Sequence, residues 1–151
     1  MAPETILVAV DGSDASLAAV TTGLALLSPE AHAIFVTVVE ASDPTLVTGA
    51  GMAGGVMSAD ELEQIEAAQV AEGRAGVEAA RAAVGRADAE PLVARGDAGP
   101  VLCDLARERS AAAIVMGSRG RGGIKRALLG SVSDYVVRNA GCPVVITGPA
   151  D

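Results

Sequence analysis

The sequence predicts an α/β fold in which helices cover both faces of a mainly parallel sheet. Short apolar segments alternate along the chain with longer amphipathic or alanine-rich segments. Half of the 151 residues are hydrophobic, yet aromatic residues make up only 1%. A core of Val, Ile, Leu and Ala is typical of parallel strands that are buried on both faces. Strands that alternate with helices imply right-handed crossovers between parallel strands.

Five segments have the composition of buried strands. They are short, rich in Val, Ile and Leu, and followed by residues that favour turns. The first, TILVAV, is a continuous apolar run without polar alternation, which indicates a strand covered on both sides. In chain order the predicted strands are 5–10, 32–40, 90–96, 111–118 and 143–147.

Four segments predict helices, and capping residues precede three of them. Ser13 or Asp14 can cap the first helix, and Asp97 can cap the third. Ser58 and Glu61 have the spacing of a capping box at the start of the second. The predicted helices are 15–27, 58 to about 85, 98–110 and 131–140.

The segment 41–57 predicts a loop, because it contains Pro and Gly without a steady period. Within it, the run GAGMAG that begins at Gly49 has the letters of the GxGxxG dinucleotide fingerprint. That fingerprint needs its glycines directly after the first strand and at the start of a helix. Here they follow the second strand by about ten residues. We interpret 48–57 as a flexible loop, with a flap over a binding site as the alternative.

Composition and charge exclude several classes of function. The net charge of −8, without an aromatic-rich basic face, argues against a nucleic-acid partner. No apolar run reaches the roughly 20 residues of a membrane span, and the N-terminus lacks the features of a signal peptide. We therefore expect no membrane partner and a cytoplasmic location. The length fits a single domain, 1–151.

Histidine and cysteine usage narrows the chemistry further. His32 is the single histidine, so the sequence offers neither a Cys/His metal cluster nor a serine-type catalytic triad. Cys103 and Cys142 are far apart, form no CxxC pair, and are expected to be buried thiols without a disulfide.

The segment GSRGRGGIKRALLGS, which begins at Gly117, is the strongest candidate for a binding site. Glycines at 117 and 120 can adopt positive φ, so that successive N–H groups converge on one oxygen. Gly130 allows close approach to a helix N-terminus, where unpaired N–H groups attract anions. Ser131 and Ser133 add hydroxyl donors. We expect a di- or triphosphate here, against the alternative of a surface loop with solvated charges. The four cations of the segment that begins at Gly117 are Arg119, Arg121, Lys125 and Arg126.

The position of this segment agrees with a ligand site. Ligands of open parallel sheets bind beyond the carboxyl ends of strands, where the strand order reverses. Asp11, after the first strand, could accept from a ribose hydroxyl or reach a phosphate-bound metal through water, or it could serve the N-cap of the first helix. The Val38 backbone could bind an adenine edge, unless Val38 is simply core. With no GxxxxGK[ST] motif and no general base other than Asp11, the sequence favours binding over fast turnover.

These residues give the chain a resemblance to the nucleotide-binding branch of the universal stress proteins. The motif of that branch, G-x2-G-x9-G-[ST], is present as Gly117, Gly120, Gly130 and Ser131. The turn DGS after the first strand and the tail SVSDYVVRNAGCPVVI also match. The similarity extends over nearly the whole chain.

The resemblance implies an adenine nucleotide alpha hydrolase-like fold: a three-layer sandwich whose five-stranded parallel sheet has the order 3-2-1-4-5. It implies ATP, alone or with Mg²⁺, between the first and fourth strands, and a homodimer formed through the last strand, Pro143 to Thr147. The implied nucleotide-binding residues are Ala9, Val10, Asp11, Gly12, Ser13, Val38, Met116, Gly117, Arg119, Gly120, Gly130, Ser131, Val132 and Ser133.

We therefore expect an ATP-binding stress-response sensor or regulator that depends on the nucleotide. Two alternatives stay open: a slow ATPase or nucleotide-using transferase, and a dimeric scaffold with a vestigial nucleotide site. The residues do not decide between ATP, AMP and a cyclic nucleotide.

Overall fold

Five parallel strands form one sheet in the computed structural model, which describes residues 2–43, 45, 47, 57–118 and 129–148. The strands are β1 (Thr5–Ala9), β2 (His32–Val39), β3 (Glu90–Arg95), β4 (Ala113–Gly117) and β5 (Val144–Thr147). Their order is β3-β2-β1-β4-β5, and each neighbouring pair is parallel. The predicted fold class and the strand order implied by the resemblance are confirmed.

Helices cover both faces of the sheet. They are α1 (Asp14–Leu24), α2 (Ala59–Ala83), α3 (Ala98–Glu108) and α4 (Ser131–Asn139). Successive residues of a strand point to opposite faces, so Val8 and Leu7 belong to different halves of the core. Val8 packs with Phe35 and with α1 and α2, and Leu7 packs with Ile34 and with α3 and α4. All four side chains are essentially inaccessible to solvent, as the continuous apolar strands predict.

Most element ends lie within two residues of the sequence prediction, and two of the differences have a clear cause in local backbone hydrogen bonds. The first helix ends at Leu24 instead of 27, since the N–H groups of Leu26 and Leu27 bond three residues back and tighten the last turn. The fourth strand begins at Ala113 instead of 111. The N–H of Ala111 still donates to the Ala106 carbonyl of α3, at 2.8 Å.

Two of the three predicted caps are confirmed. The Ser13 side chain accepts from the Ser16 N–H at the start of α1. Ser58 and Glu61 form the capping box of α2, and hydrogen bonds from the Ser58 backbone N–H and hydroxyl lower the pKa of the Glu61 carboxyl. Asp97 occupies the N-cap position of α3, as predicted. Its side chain makes no capping hydrogen bond, so the predicted cap itself is wrong.

Helix α2 extends past the carboxyl ends of the strands. Its 25 residues span about 37 Å, against about 26 Å for the eight residues of β2. At Gly73 it packs against the end of the sheet: a Cβ built there would lie 3.1 Å from a Thr37 methyl and 3.2 Å from a Val39 methyl. Further along the helix, Val77 packs into the core with Val8. The residues of α2 before Gly73 therefore overhang the carboxyl edge of the sheet.

Among the helices that the structure describes, none is both long and apolar enough to cross a membrane.

Candidate functional site

A cavity of about 640 Å³ lies at the carboxyl edge of the sheet, where the strand order reverses between β1 and β4. Its size falls within the roughly 300–1,000 Å³ typical of small-molecule sites. The ends of β1, β2 and β4, the N-terminus of α4, one face of α2 and the start of α3 form its walls. The described lining residues are Ala9, Val10, Asp11, Gly12, Ser16, Val36, Thr37, Val38, Val39, Glu40, Gln69, Glu72, Gly73, Gly76, Ala98, Leu102, Met116, Gly117, Leu129, Gly130, Ser131, Val132 and Ser133.

The cavity brings together most of the residues that the sequence singled out. Ser13 does not line it, because this residue caps α1. Arg119 and Gly120 lie outside the described residues, as do the other three cations of that segment and positions 48–56. The predicted residues that line the cavity are Ala9, Val10, Asp11, Gly12, Val38, Met116, Gly117, Gly130, Ser131, Val132 and Ser133.

A turn after β1 forms one wall. Oδ1 of Asp11 accepts from the Ser13 backbone N–H at 2.9 Å and from the Ser13 hydroxyl at 2.6 Å. The Asp11 N–H donates to Ser16 Oγ at 3.3 Å. Between them Gly12 has φ +81°, a left-handed conformation that glycine adopts without steric cost. Asp11 therefore serves the cap of α1 by orienting Ser13, and it also lines the cavity.

The opposite wall depends on the carbonyl oxygen of Ser118, just after β4. It accepts from the Gly130 N–H at 2.6 Å and from the Ser133 hydroxyl at 2.9 Å. The same hydroxyl lies 3.1 Å from the Gly130 carbonyl. These contacts hold the two ends of the motif segment together and place the start of α4 beside the end of β4.

Two expectations about this wall need correction. The Ser133 side chain is buried and its hydroxyl donates to backbone carbonyls, so it fixes the wall instead of offering a donor to a ligand. Gly117 has strand backbone, and Gly130 has φ −75°. In the part of the chain that the structure describes, positive φ among glycines occurs at positions 12, 85 and 96. The prediction of positive φ at Gly117 was therefore wrong.

The N-terminus of α4 forms part of the cavity wall. Gly130 is the N-cap, and none of the side chains that the structure describes caps the first turn. The first helical hydrogen bond runs from the Asp134 N–H to the Gly130 carbonyl, at 2.9 Å. The N–H groups of Ser131, Val132 and Ser133 consequently have no intrahelical acceptor, and all three residues line the cavity. Together with the helix dipole, they make this wall attractive to an anion.

The wall formed by α2 was missed by the sequence analysis. Glu40 at the end of β2 and Gln69 and Glu72 on α2 give that side of the cavity a polar lining. Helical periodicity alone does not tell which residues overhang the sheet. Gly73 and Gly76, in a helix otherwise rich in Ala and Glu, were the available signal, because glycine in a helix interior often marks close packing.

The two cysteines are both free thiols. Burial raises the pKa of both thiols. The prediction of a buried thiol is confirmed for Cys103, whereas Cys142 is only partly buried. Within the described residues, no group of three or more His, Cys, Asp or Glu side chains is placed to hold a metal ion.

Known proteins resemble this chain over almost its whole length. The model of the universal stress protein family matches residues 3–148. The chain belongs to the universal stress protein family. Universal stress protein YxiE of Bacillus subtilis is 31% identical over 144 residues, which cover 93% of this chain and 96% of that protein.

Solved structures of other universal stress proteins have the same fold. UspA from Lactobacillus plantarum matches with a TM-score of 0.74 at 24% identity, over 97% of this chain and 99% of that one. A universal stress protein solved in complex with cAMP matches with a TM-score of 0.61 at 28% identity, over 99% and 100% of the two chains.

The role of Ser133 in this universal stress protein can be tested by Ser133→Ala. Loss of the buried hydroxyl should lower the free energy of unfolding by about 1–2 kcal/mol, measured by urea denaturation. Ser131→Ala is the matched control: its side chain is exposed, and the change should stay within about 0.5 kcal/mol. Equal urea midpoints for the two variants would contradict the role given to Ser133.

Proposed function

We propose that this universal stress protein binds ATP in the cavity at the carboxyl edge of its sheet and acts as a nucleotide-dependent regulator of a stress response. The observation that carries the proposal is the first turn of α4, which no described side chain caps, and whose residues Ser131, Val132 and Ser133 line a cavity of nucleotide size. Family membership supports the stress-response role.

The phosphates would lie at α4. The N–H groups of Ser131 and Val132 supply donors in a fixed direction, and Gly130 carries no side chain to obstruct them. Ser131 is exposed, so its hydroxyl is available as a further donor. Arg119 and Gly120 of the motif would complete the phosphate site, as the family resemblance implies.

The nucleoside would extend from α4 towards β2. Apolar side chains line the cavity on both sides of that path and would cover the faces of the adenine ring. They are Val38, Leu102 and Met116. Asp11, at the end of β1, is placed between the two ends of the cavity and would accept from a ribose hydroxyl. The relative solved with cAMP supports an adenine nucleotide in this family.

Mg²⁺ would arrive with the nucleotide. Mg²⁺ is commonly held by phosphates and waters with one or two carboxylates, and Asp11 could reach it through water. Oδ1 of Asp11 already accepts two hydrogen bonds from Ser13. These bonds hold the carboxylate in place at the cavity wall.

The proposal is tested by titration calorimetry with ATP and excess Mg²⁺. A parallel titration uses cAMP. Gly130→Val places a branched side chain at the N-cap of α4 and should weaken ATP binding at least about tenfold, or about 1.4 kcal/mol. Gly141→Val is the matched control, since a Cβ built at Gly141 meets nothing within 4 Å. Absence of binding at millimolar ATP, or equal affinity in the two variants, would contradict the proposal.

We also propose that two copies of the chain associate through β5. This strand is at the edge of the sheet, and its four residues are all partly exposed. The Pro143 carbonyl accepts from the Ile114 N–H of β4 at 3.0 Å, and the Thr147 carbonyl accepts from the Ser118 N–H, just after β4, at 2.9 Å. Because successive peptide groups of a strand point in opposite directions, the Val144 and Ile146 N–H groups point towards the open edge. A second copy related by a two-fold axis could pair with them and remove an exposed edge.

Light scattering coupled to size exclusion tests this pairing. The wild-type protein should have twice the mass of one chain. Ile146→Pro removes an outward N–H without removing a bond to β4, and should shift the protein towards the mass of one chain. A control, Ile146→Val, keeps the N–H and should remain dimeric. A wild-type protein of single-chain mass at working concentration would contradict the pairing.

A further inference from the structure

Two buried hydroxyl groups hold the peptide that joins Val10 to Asp11. The carbonyl of this peptide, on Val10, accepts from the Thr37 hydroxyl of β2 at 2.5 Å. Its N–H, on Asp11, donates to Ser16 Oγ of α1 at 3.3 Å. Thr37 and Ser16 are both buried, and both line the cavity. The peptide is therefore held at its two ends, directly before the carboxylate that the proposed function assigns to the ribose.

The bond from Thr37 acts at the point where the strands no longer pair. Backbone pairing of β1 with β2 ends at Val10, whose N–H donates to the Val36 carbonyl at 2.9 Å. In a regular parallel ladder, the Val10 carbonyl would next accept from a main-chain N–H of β2. It accepts instead from the side chain of Thr37. The left-handed turn at Gly12 follows two residues later, so the Thr37 hydroxyl fixes the chain where it leaves the sheet.

The packing of α2 orients the Thr37 side chain. Gly73 brings the helix close to this strand, because a Cβ built there would lie 3.1 Å from the Thr37 methyl group. A threonine has two branches on its Cβ and therefore few χ1 rotamers. With the methyl group against α2, the hydroxyl is directed at the Val10 carbonyl.

The carboxylate of Asp11 is held as well. Its Oδ1 accepts from the N–H and the hydroxyl of Ser13, and Ser13 Oγ accepts from the Ser16 N–H at 3.1 Å. Asp11 is thus fixed through both its main chain and its side chain. A group that is already ordered loses little freedom when a ligand binds, and such preorganisation raises affinity.

We propose that Thr37 is a positioning residue for sugar recognition: through the Val10 carbonyl, it places the Asp11 carboxylate to accept a hydrogen bond from a hydroxyl of the nucleotide sugar. This inference rests on the proposed function, which assigns Asp11 to the ribose. It makes the discrimination between ribose and deoxyribose depend on Thr37, a residue that acts through Asp11.

The experiment measures sugar discrimination, which is the ratio of the affinity for ATP to the affinity for 2′-deoxy-ATP or 3′-deoxy-ATP. Thr37→Val removes the hydroxyl and keeps both branches of the side chain, and Thr37→Ser keeps the hydroxyl. Thr21→Val is the matched control, since the Thr21 hydroxyl also donates to a backbone carbonyl, that of Leu17 at 2.7 Å, on the exposed side of α1. A loss of stability lowers both affinities of a variant by the same factor and leaves their ratio unchanged.

The wild type should bind ATP about tenfold more tightly than the deoxy compound that lacks the donor to Asp11. In Thr37→Val, this ratio should fall to about twofold or less, whereas Thr37→Ser and Thr21→Val should keep it. If Thr37→Val does not fold, Ser16→Ala takes its place. It removes the acceptor at the other end of the same peptide and should lower the ratio in the same way.

A double-mutant cycle tests whether Thr37 acts through Asp11. Asp11→Ala should abolish the sugar discrimination. Adding Thr37→Val to Asp11→Ala should then change the ATP affinity by no more than about twofold, because no carboxylate is left to position. Independent roles for the two residues would make their separate losses add.

Three results would overturn the inference: a wild type that binds ATP and both deoxy compounds equally, discrimination that survives in Thr37→Val, or losses that add in the double variant. If ATP binding still depends on Gly130 in any of these cases, the inference alone fails. If the wild type binds no ATP, the proposed function fails and the inference with it.

Discussion

The site depends on the carbonyl oxygen of Ser118, which accepts hydrogen bonds from both the Gly130 N–H and the Ser133 hydroxyl. These two bonds bring the start of α4 to the end of β4. Gly130 then occupies the N-cap, and no side chain within the described residues caps the first turn of α4. That turn lines the cavity at the point where the strand order reverses, which is where parallel sheets bind ligands.

The cavity combines two walls of opposite hydrogen-bonding character. The α4 wall offers donors, and the α2 wall, with Glu40, Gln69 and Glu72, offers acceptors. Apolar residues from β2, α3 and β4 lie between them. Such an arrangement suits an elongated ligand with an anionic end and a donor-bearing end, as a nucleotide has. A ligand that binds only the folded protein would stabilise it by an amount that grows with the logarithm of ligand concentration above the Kd.

Most of the fold and one wall of the site could be predicted from the sequence. Continuous apolar strands and the spacing from Gly117 to Ser131 were sufficient, because both are local in sequence. The roles of single atoms could not be predicted in this way. The Ser133 hydroxyl could have donated to a phosphate, yet the side chain is buried and its hydroxyl donates to the backbone. Gln69 was missed because helical periodicity does not give the height of a residue above the sheet. That height follows from tertiary packing at Gly73.

In the proposed complex, the first-turn amides of α4 receive the phosphates. Amide nitrogen–proton correlation spectra, recorded with ATP and with adenosine, test it most directly. The account predicts that ATP shifts the resonances of Ser131 and Val132 strongly, because their N–H groups gain a charged acceptor, and that adenosine, which lacks phosphates, leaves them nearly unmoved. Resonances that ATP does not shift, or that adenosine shifts equally, would contradict the account.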